Sequence, residues 1–260
     1  MTSNEPGQPP LADAVAWTRN WTRNLDVPTS ALAIGAHPDD VEFGCGATLA
    51  KWAAAGCTIH HLVCTDGSKG TWDAFADPVA LAVRRQDEQR AAARRLAGRA
   101  AGEVRFLGYV DGELDSDLVA RSKVALVMRE LRPEVVLGHD PWKRYRLHPD
   151  HRNAGLLTCD GVVAARDPHF FPEHGVAAHR PRALLLFEAD APDHVEDVTT
   201  AVETKIAALE AHESQFESTM KALDQEQLTA FRDRVRNRLA ELGRPHGIAA
   251  AEAFKLMTDL

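Results

Sequence analysis

Residues 31–46 read Ala-Leu-Ala-Ile-Gly-Ala-His-Pro-Asp-Asp-Val-Glu-Phe-Gly-Cys-Gly. The run from Ala31 to Gly35 is short, apolar and unbroken, as expected of a strand buried on both faces. Val41 to Ala55 follows with helical character and ends at Gly56. His37, Asp39 and Asp40 therefore fall in a strand-to-helix turn, where open α/β sheets place functional groups. Pro38 restricts the backbone between them. The two adjacent carboxylates should point in different directions. One can then bind a metal while the other faces the water bound to that metal, whose pKa falls to roughly 7.

Outward from this turn the chain alternates. Thr58 to Thr65 reads as a second strand, Pro78 to Leu96 as a long helix and Val104 to Leu107 as a third strand. Asp117 to Leu131 reads as a helix stopped by Pro133, and Val135 to Gly138 as a fourth strand. A helix over Asn153 to Ala165 and a strand over Leu184 to Phe187 follow, and the residues after Thr199 read mostly as helix. Such alternation predicts right-handed crossovers and an α/β fold of three layers, a mostly parallel sheet flanked by helices. Residues 29–260 read as a single domain behind an N-terminal extension, 1–28. Within the extension, Trp17-Thr-Arg-Asn repeats as Trp21-Thr-Arg-Asn, and the four-residue spacing predicts a short helix clamped onto the domain.

A second polar cluster, His148-Pro-Asp-His151, follows the fourth strand. His148 and His151 are three apart and can share one face of a starting helical turn. Together the clusters supply two imidazoles and a carboxylate for a divalent metal. A further carboxylate and imidazole remain for acid–base work, which is the inventory of a hydrolytic zinc site. Read alone, either cluster would also suit loop histidines and helix-capping aspartates.

Composition narrows the classes. A chain of 260 residues with 45% hydrophobic content can bury a large core. The formal charge of −8 argues against non-specific nucleic-acid binding. Cys45, Cys57, Cys64 and Cys159 show no CxxC spacing and read as reduced thiols of a cytoplasmic protein. No stretch has the apolar length of a membrane span, and the N-terminus lacks the pattern of a signal peptide. Gly44-Cys-Gly46 lies within the helix, after the turn, so it suits close packing of that helix on the sheet better than dinucleotide binding.

With these motifs in order, the chain resembles the LmbE-like, or PIG-L, superfamily of zinc-dependent N-deacetylases, which includes the N-acetylglucosaminyl-phosphatidylinositol de-N-acetylases. The resemblance rests on residues 36–46 and 148–151. Weaker anchors are Thr65-Asp-Gly67, Arg85-Gln-Asp-Glu88, Asp111-Gly-Glu-Leu114, Lys205 with His212 and Ser214-Gln215, and Glu252-Ala-Phe254. It implies an LmbE-like, Rossmann-like fold. It also implies that His37, Asp40 and His151 hold a single zinc ion, that Asp39 is the general base and that His148 is the electrostatic or acid partner. Arg85 and Asp111 match positions that line the substrate pocket in relatives. Two departures stand out. Ala47 replaces a glycine common in relatives, and Ser68-Lys69 stands where several carry an acidic residue.

Two loops suggest substrate contacts. Trp142 and Tyr145 could stack on a sugar ring, while Lys143, Arg144 and Arg146 could meet anionic or hydroxyl-rich groups; equally, these residues could buttress the site from behind through hydrogen bonds to its ligands. The aromatic, histidine-rich segment from Arg166 to Arg182 suits a pocket wall or lid. The reading that results is a cytoplasmic, zinc-dependent hydrolase that removes an acetyl group from an amide nitrogen. Its expected partner is a small N-acylated, sugar-like substrate, with no nucleic acid, no membrane span and room for a homo-oligomer. The alternatives are an amidase for thiol conjugates or acylated natural products, and a metal-binding module without catalysis.

Overall fold

The apolar runs lie side by side at the centre of one twisted sheet. The structure is a computed structural model and describes residues 21–260. Its strands are β1 (Thr22–Arg23), β2 (Ser30–Gly35), β3 (Thr58–Thr65), β4 (Ala101–Tyr109), β5 (Val135–His139), β6 (Ala183–Phe187), β7 (His194–Asp197) and β8 (Ala251–Met257). The helices are α1 (Asp40–Ala54), α2 (Pro78–Ala97), α3 (Leu118–Leu131), α4 (Pro149–Arg166), α5 (Val202–Leu209) and α6 (Gln225–Gly243). Among the described residues the strands form one sheet in the order β1-β7-β8-β6-β5-β2-β3-β4. β2, β3, β4, β5 and β6 pair in parallel, whereas β8 runs antiparallel to both β6 and β7.

Strand alternation divides the core into two layers. Ala31, Ala33, Val135, Leu137 and Leu185 face α1, α2, α5 and α6. Leu32, Ile34, Val136, Leu184 and Leu186 face α3 and α4. Both faces of the central strands are covered, which is why their sequences read as unbroken apolar runs. Order reverses at β2, which has β3 on one side and β5 on the other. Such a switch point opens a crevice beyond the carboxyl ends of the two strands.

Helix starts follow their caps. Asp77 accepts hydrogen bonds from the N–H groups of Val79 and Ala80 ahead of Pro78, and Asp117 accepts one from Ala120. α1 departs from the expected continuous helix. Cys45 is non-helical (φ −145°, ψ 15°), so the helix breaks there. The break leaves two N–H groups without intrahelical partners, and the Glu252 carboxylate accepts from both Ala47 and Thr48 (3.1 and 2.8 Å). Lys205 Nζ neutralises that buried carboxylate at 2.6 Å. Gly44 presses against the Phe187 ring, as close packing of the helix on the sheet requires.

Two expectations are corrected. Thr22–Arg23 is a strand paired with β7, not helix, and Asn24 follows it at φ 51°. Trp21 packs on His246 (4.5 Å between centroids), and Trp17 lies outside the described residues. The third strand runs nine residues, Ala101–Tyr109, rather than four. Two strands were not anticipated, β7 ahead of Thr199 and β8 at the end of a stretch that is otherwise mostly helical, as expected. Both hid behind buried polar side chains. His194 and Glu196 of β7 bond to each other (2.9 Å), and Glu252 of β8 is paired with Lys205. No helix among the described residues is long and apolar enough to cross a membrane.

A methyl group added at Gly44 would lie 2.4 Å from Phe187 Cδ2, inside a fully buried ring contact. Gly44→Ala should therefore destabilise the fold by about 1–3 kcal/mol, the usual range for overpacking. A lower urea midpoint at unchanged slope is the expected reading.

Candidate active site

The carboxyl ends of the parallel strands meet one cavity of about 750 Å³, lined by His37, Asp39, Asp40, Asp111, His148 and His151 among others. Parallel pairing explains the convergence, because every β-to-α loop leaves the sheet at the same edge. His37 follows β2, Asp111 follows β4, and His148 caps α4 beyond β5.

His37, Asp40 and His151 converge in this cavity. His37 Nδ1 lies 3.2 Å from His151 Nε2. The Asp40 carboxylate lies 3.3 Å from each, through Oδ2 and Oδ1 respectively. Donors bound to one ion at about 2.0–2.1 Å stand roughly 3.3–3.4 Å apart, so these three residues could hold a divalent metal. The far side of His37 is fixed by carboxylates. Its Nε2 lies 3.1 Å from both Asp111 Oδ1 and Asp150 Oδ2. Asp150 is itself held by the N–H groups of Gly112 (2.6 Å) and Leu114 (3.2 Å). A carboxylate behind a metal-bound imidazole sets its tautomer and raises its basicity.

The electrostatics agree with a cation site. Burial opposes charge on His37, yet Asp111, Asp150 and Asp40 push its pKa up to about 12. Burial likewise opposes charge on Asp40, but His151 and His139 outweigh it and hold the carboxyl well below the usual range.

Asp39 stands apart from the ligand group. Its backbone has φ 103°, and its side chain makes no capping bond to α1 although it occupies the cap position. Burial raises its pKa to about 6, against the opposing charge of Arg85. His148 lies beside these residues, with a ring nitrogen within 4.8 Å of those of His37 and His151. Its Nδ1 accepts the N–H of Asp150 (3.3 Å), which leaves Nε2 as the protonated nitrogen. Burial, together with His37 and His151, lowers its pKa. Both effects favour the neutral ring, in which Nε2–H is free to donate.

The expected substrate contacts divide. Asp111 lines the cavity while its carboxylate accepts the N–H of Lys69 (3.1 Å) and faces His37. Arg85 also reaches the cavity, but its guanidinium is committed to Pro38 O (2.6 Å), Gly67 O (2.9 Å) and Asp39 Oδ2 (3.4 Å). Trp142 and Tyr145 do not line the cavity. Asp140 Oδ1 accepts the N–H of Trp142 and turns the loop outward, and Tyr145, at φ 60°, is 92% exposed. Lys143, between them, does line it. The 166–182 segment forms no wall either. Buried Arg129 pins it to the helical layer through the carbonyls of Asp167, Phe170 and Phe171.

Sequence reasoning missed His139 and Glu188. His139 Nε2 lies 3.2 Å from Asp40 Oδ2, and the ring stacks on His151 at 4.5 Å. Glu188 pairs with Arg146 at 2.8 Å and lines the cavity. Each sits at or just past the carboxyl end of a parallel strand, and that position was the available signal.

A family model for PIG-L, described as GlcNAc-PI de-N-acetylase, matches residues 32–161. A diacetylchitobiose deacetylase of Thermococcus kodakarensis is 35% identical over 188 residues, covering 71% of this chain and 69% of that protein. A 1D-myo-inositol 2-acetamido-2-deoxy-alpha-D-glucopyranoside deacetylase of Rhodococcus erythropolis is 33% identical over 241 residues, covering 71% and 80%. Among solved structures, the N,N'-diacetylchitobiose deacetylase of Pyrococcus horikoshii matches with a TM-score of 0.80 at 28% identity, over 89% of this chain and 84% of that one.

Removing one of three ligands from such a site should release the ion. His151→Ala and Asp40→Asn are each expected to lose stoichiometric metal after dialysis against a chelator, as read by atomic absorption, while the parent protein keeps it. Full metal retention in His151→Ala would remove that residue from the ligand set.

Proposed function

This chain belongs to the PIG-L family, and from that premise we propose that it is a zinc-dependent N-deacetylase. Its substrate is an N-acetylglucosamine-type sugar conjugate, and its products are acetate and the free amine. The observation that carries the reading is the division of labour between neighbours. His37, Asp40 and His151 approach one another at 3.2–3.3 Å, while Asp39, whose carboxylate meets Arg85 at 3.4 Å, and the Nε2–H of His148 stand beside them without joining that set. A purely structural metal site would need neither.

Two imidazoles and one carboxylate favour zinc over magnesium, and iron or cobalt would also fit that set. When bound, the ion supplies Lewis-acid polarisation of the acetamide carbonyl and a water of lowered pKa. Asp39 takes the proton of the attacking water. Its raised pKa, about 6, makes it a stronger base than an exposed aspartate and leaves it ionised at neutral pH. His148 offers Nε2–H to the carbonyl oxygen as charge builds there, an interaction strongest in the transition state. Asp111, Lys69 and Lys143 line the cavity and suit the hydroxyl groups of a sugar. The four cysteines are free thiols, which supports the reducing cytoplasm as the compartment.

The test is amine release by metal-loaded protein from N-acetylglucosamine and its conjugates, read with an amine-reactive fluorophore. No release from any acetylated sugar would reject the reading. Asp39→Asn should keep its metal and lose about 10²- to 10⁴-fold in kcat, the usual contribution of a general base. Loss of metal instead would place Asp39 among the ligands. His148→Ala should lower kcat with KM little changed. His148→Gln, which keeps an N–H donor, should recover part of that loss. Equal rates for the two variants would argue against a hydrogen-bonding role.

A further inference from the structure

At the N-cap of α1, an aspartate would ordinarily use its carboxylate to accept a hydrogen bond from the first helical turn. Asp39 does not, and its φ of 103° lies where residues other than glycine are seldom found. Other groups must hold this turn. The Pro38–Asp39 peptide is gripped at both ends from one face of α2. Arg85 donates to the Pro38 carbonyl, and the Asp39 N–H donates to Gln89 Oε1 (3.0 Å). Arg85 and Gln89 are one helical turn apart, so a single rigid element sets both contacts.

An amide side chain can present either its oxygen or its nitrogen, and only the oxygen suits Asp39. Glu42 settles the choice. Gln89 Nε2 donates to Glu42 Oε1 at 2.8 Å, and a carboxylate can only accept, so the oxygen of Gln89 must face Asp39. Gln89 and Glu42 are wholly buried and neither lines the cavity. Behind Glu42 stand two more buried rings, His212 Nε2 at 3.4 Å and His61 Nε2 at 3.6 Å. A charged side chain buried away from the cavity is expensive to keep, and no ligand in the cavity can be its reason for being there.

We propose that Gln89 and Glu42 are positioning residues, a buried relay that fixes the Asp39 backbone so that its carboxylate stays out of the helix cap and free for proton transfer. The inference rests on Asp39 being the base of the proposed reaction.

Gln89→Glu keeps an acceptor for Asp39 but sets two carboxylates against each other. It should lower kcat about 10- to 100-fold, the range typical of supporting contacts around a site, with KM and metal content little changed. The exchange variant Glu42→Gln/Gln89→Glu rebuilds the relay in reverse. The introduced carboxylate accepts from Asp39 and from the introduced amide, so most of the lost kcat should return. A native kcat in Gln89→Glu would overturn the proposal. So would an exchange variant that melts normally, holds metal and remains as slow as the single variant. Should Gln89→Glu fail to fold, Gln89→Met removes the acceptor at similar volume, and a native kcat there is equally fatal. Asp39→Asn separates the two failures. If it is as active as the parent, the base assignment falls; if it is inactive while the relay variants are normal, only the relay falls.

Discussion

Negative charge converging on His37 is the constraint around which the site is built. Asp40 approaches one ring nitrogen, and Asp111 and Asp150 approach the other. So many carboxylates in one buried corner repel one another unless a cation sits among them. A single proton on His37 relieves only part of the repulsion. A divalent ion bound by Nδ1 would leave Nε2–H to satisfy Asp111 and Asp150, which is the tautomer those acceptors demand. The ligand set and its supporting carboxylates are thus one electrostatic unit. Asp150 is tied to Gly112 and Leu114, so that unit also fastens the loop after β4 to the start of α4.

The sheet makes such a unit possible. Residues 111 positions apart, His37 and His148, come within 4.6 Å between ring centroids because β2 and β5 are parallel neighbours. Their loops open at the same edge, at the point where strand order reverses. β8 stiffens the arrangement from the side. Its Glu252 caps the second half of the broken α1, and that break lets Gly44 seat the helix against Phe187. Local irregularity near the site therefore has identifiable partners.

What could be read from sequence was what is local. The turn at residues 36–40 and the cluster at 148–151 each announced their chemistry through residue type and spacing, and the parallel core announced itself through apolar runs. Side-chain direction was not local. Arg85 reaches the cavity, but the sequence could not show that its guanidinium grips the Pro38 carbonyl, because the face of α2 it occupies is set by tertiary packing. Trp142 and Tyr145 were expected to stack on a sugar, and an Asx turn sends their loop outward. β7 and β8 were invisible because their buried positions hold His194, Glu196 and Glu252, whose partners are distant in sequence or masked by polarity.

The two adjacent aspartates show why direction matters more than identity. Residue type alone leaves Asp39 and Asp40 interchangeable. Backbone geometry separates them. Asp40 begins a helical turn, and its carboxylate folds back to accept the N–H of His37 (2.7 Å), which fixes it toward His151 and His139. Asp39, at positive φ, is turned away from that group and meets Arg85 instead. Exchange of roles would require the helix to start one residue earlier, which would pull the Asp39 N–H from Gln89 and the Pro38 carbonyl from Arg85. The register of one helix start, held by two side chains of α2, therefore decides which carboxylate turns toward His37 and His151 and which toward Arg85, the difference on which the proposed roles of ligand and base rest.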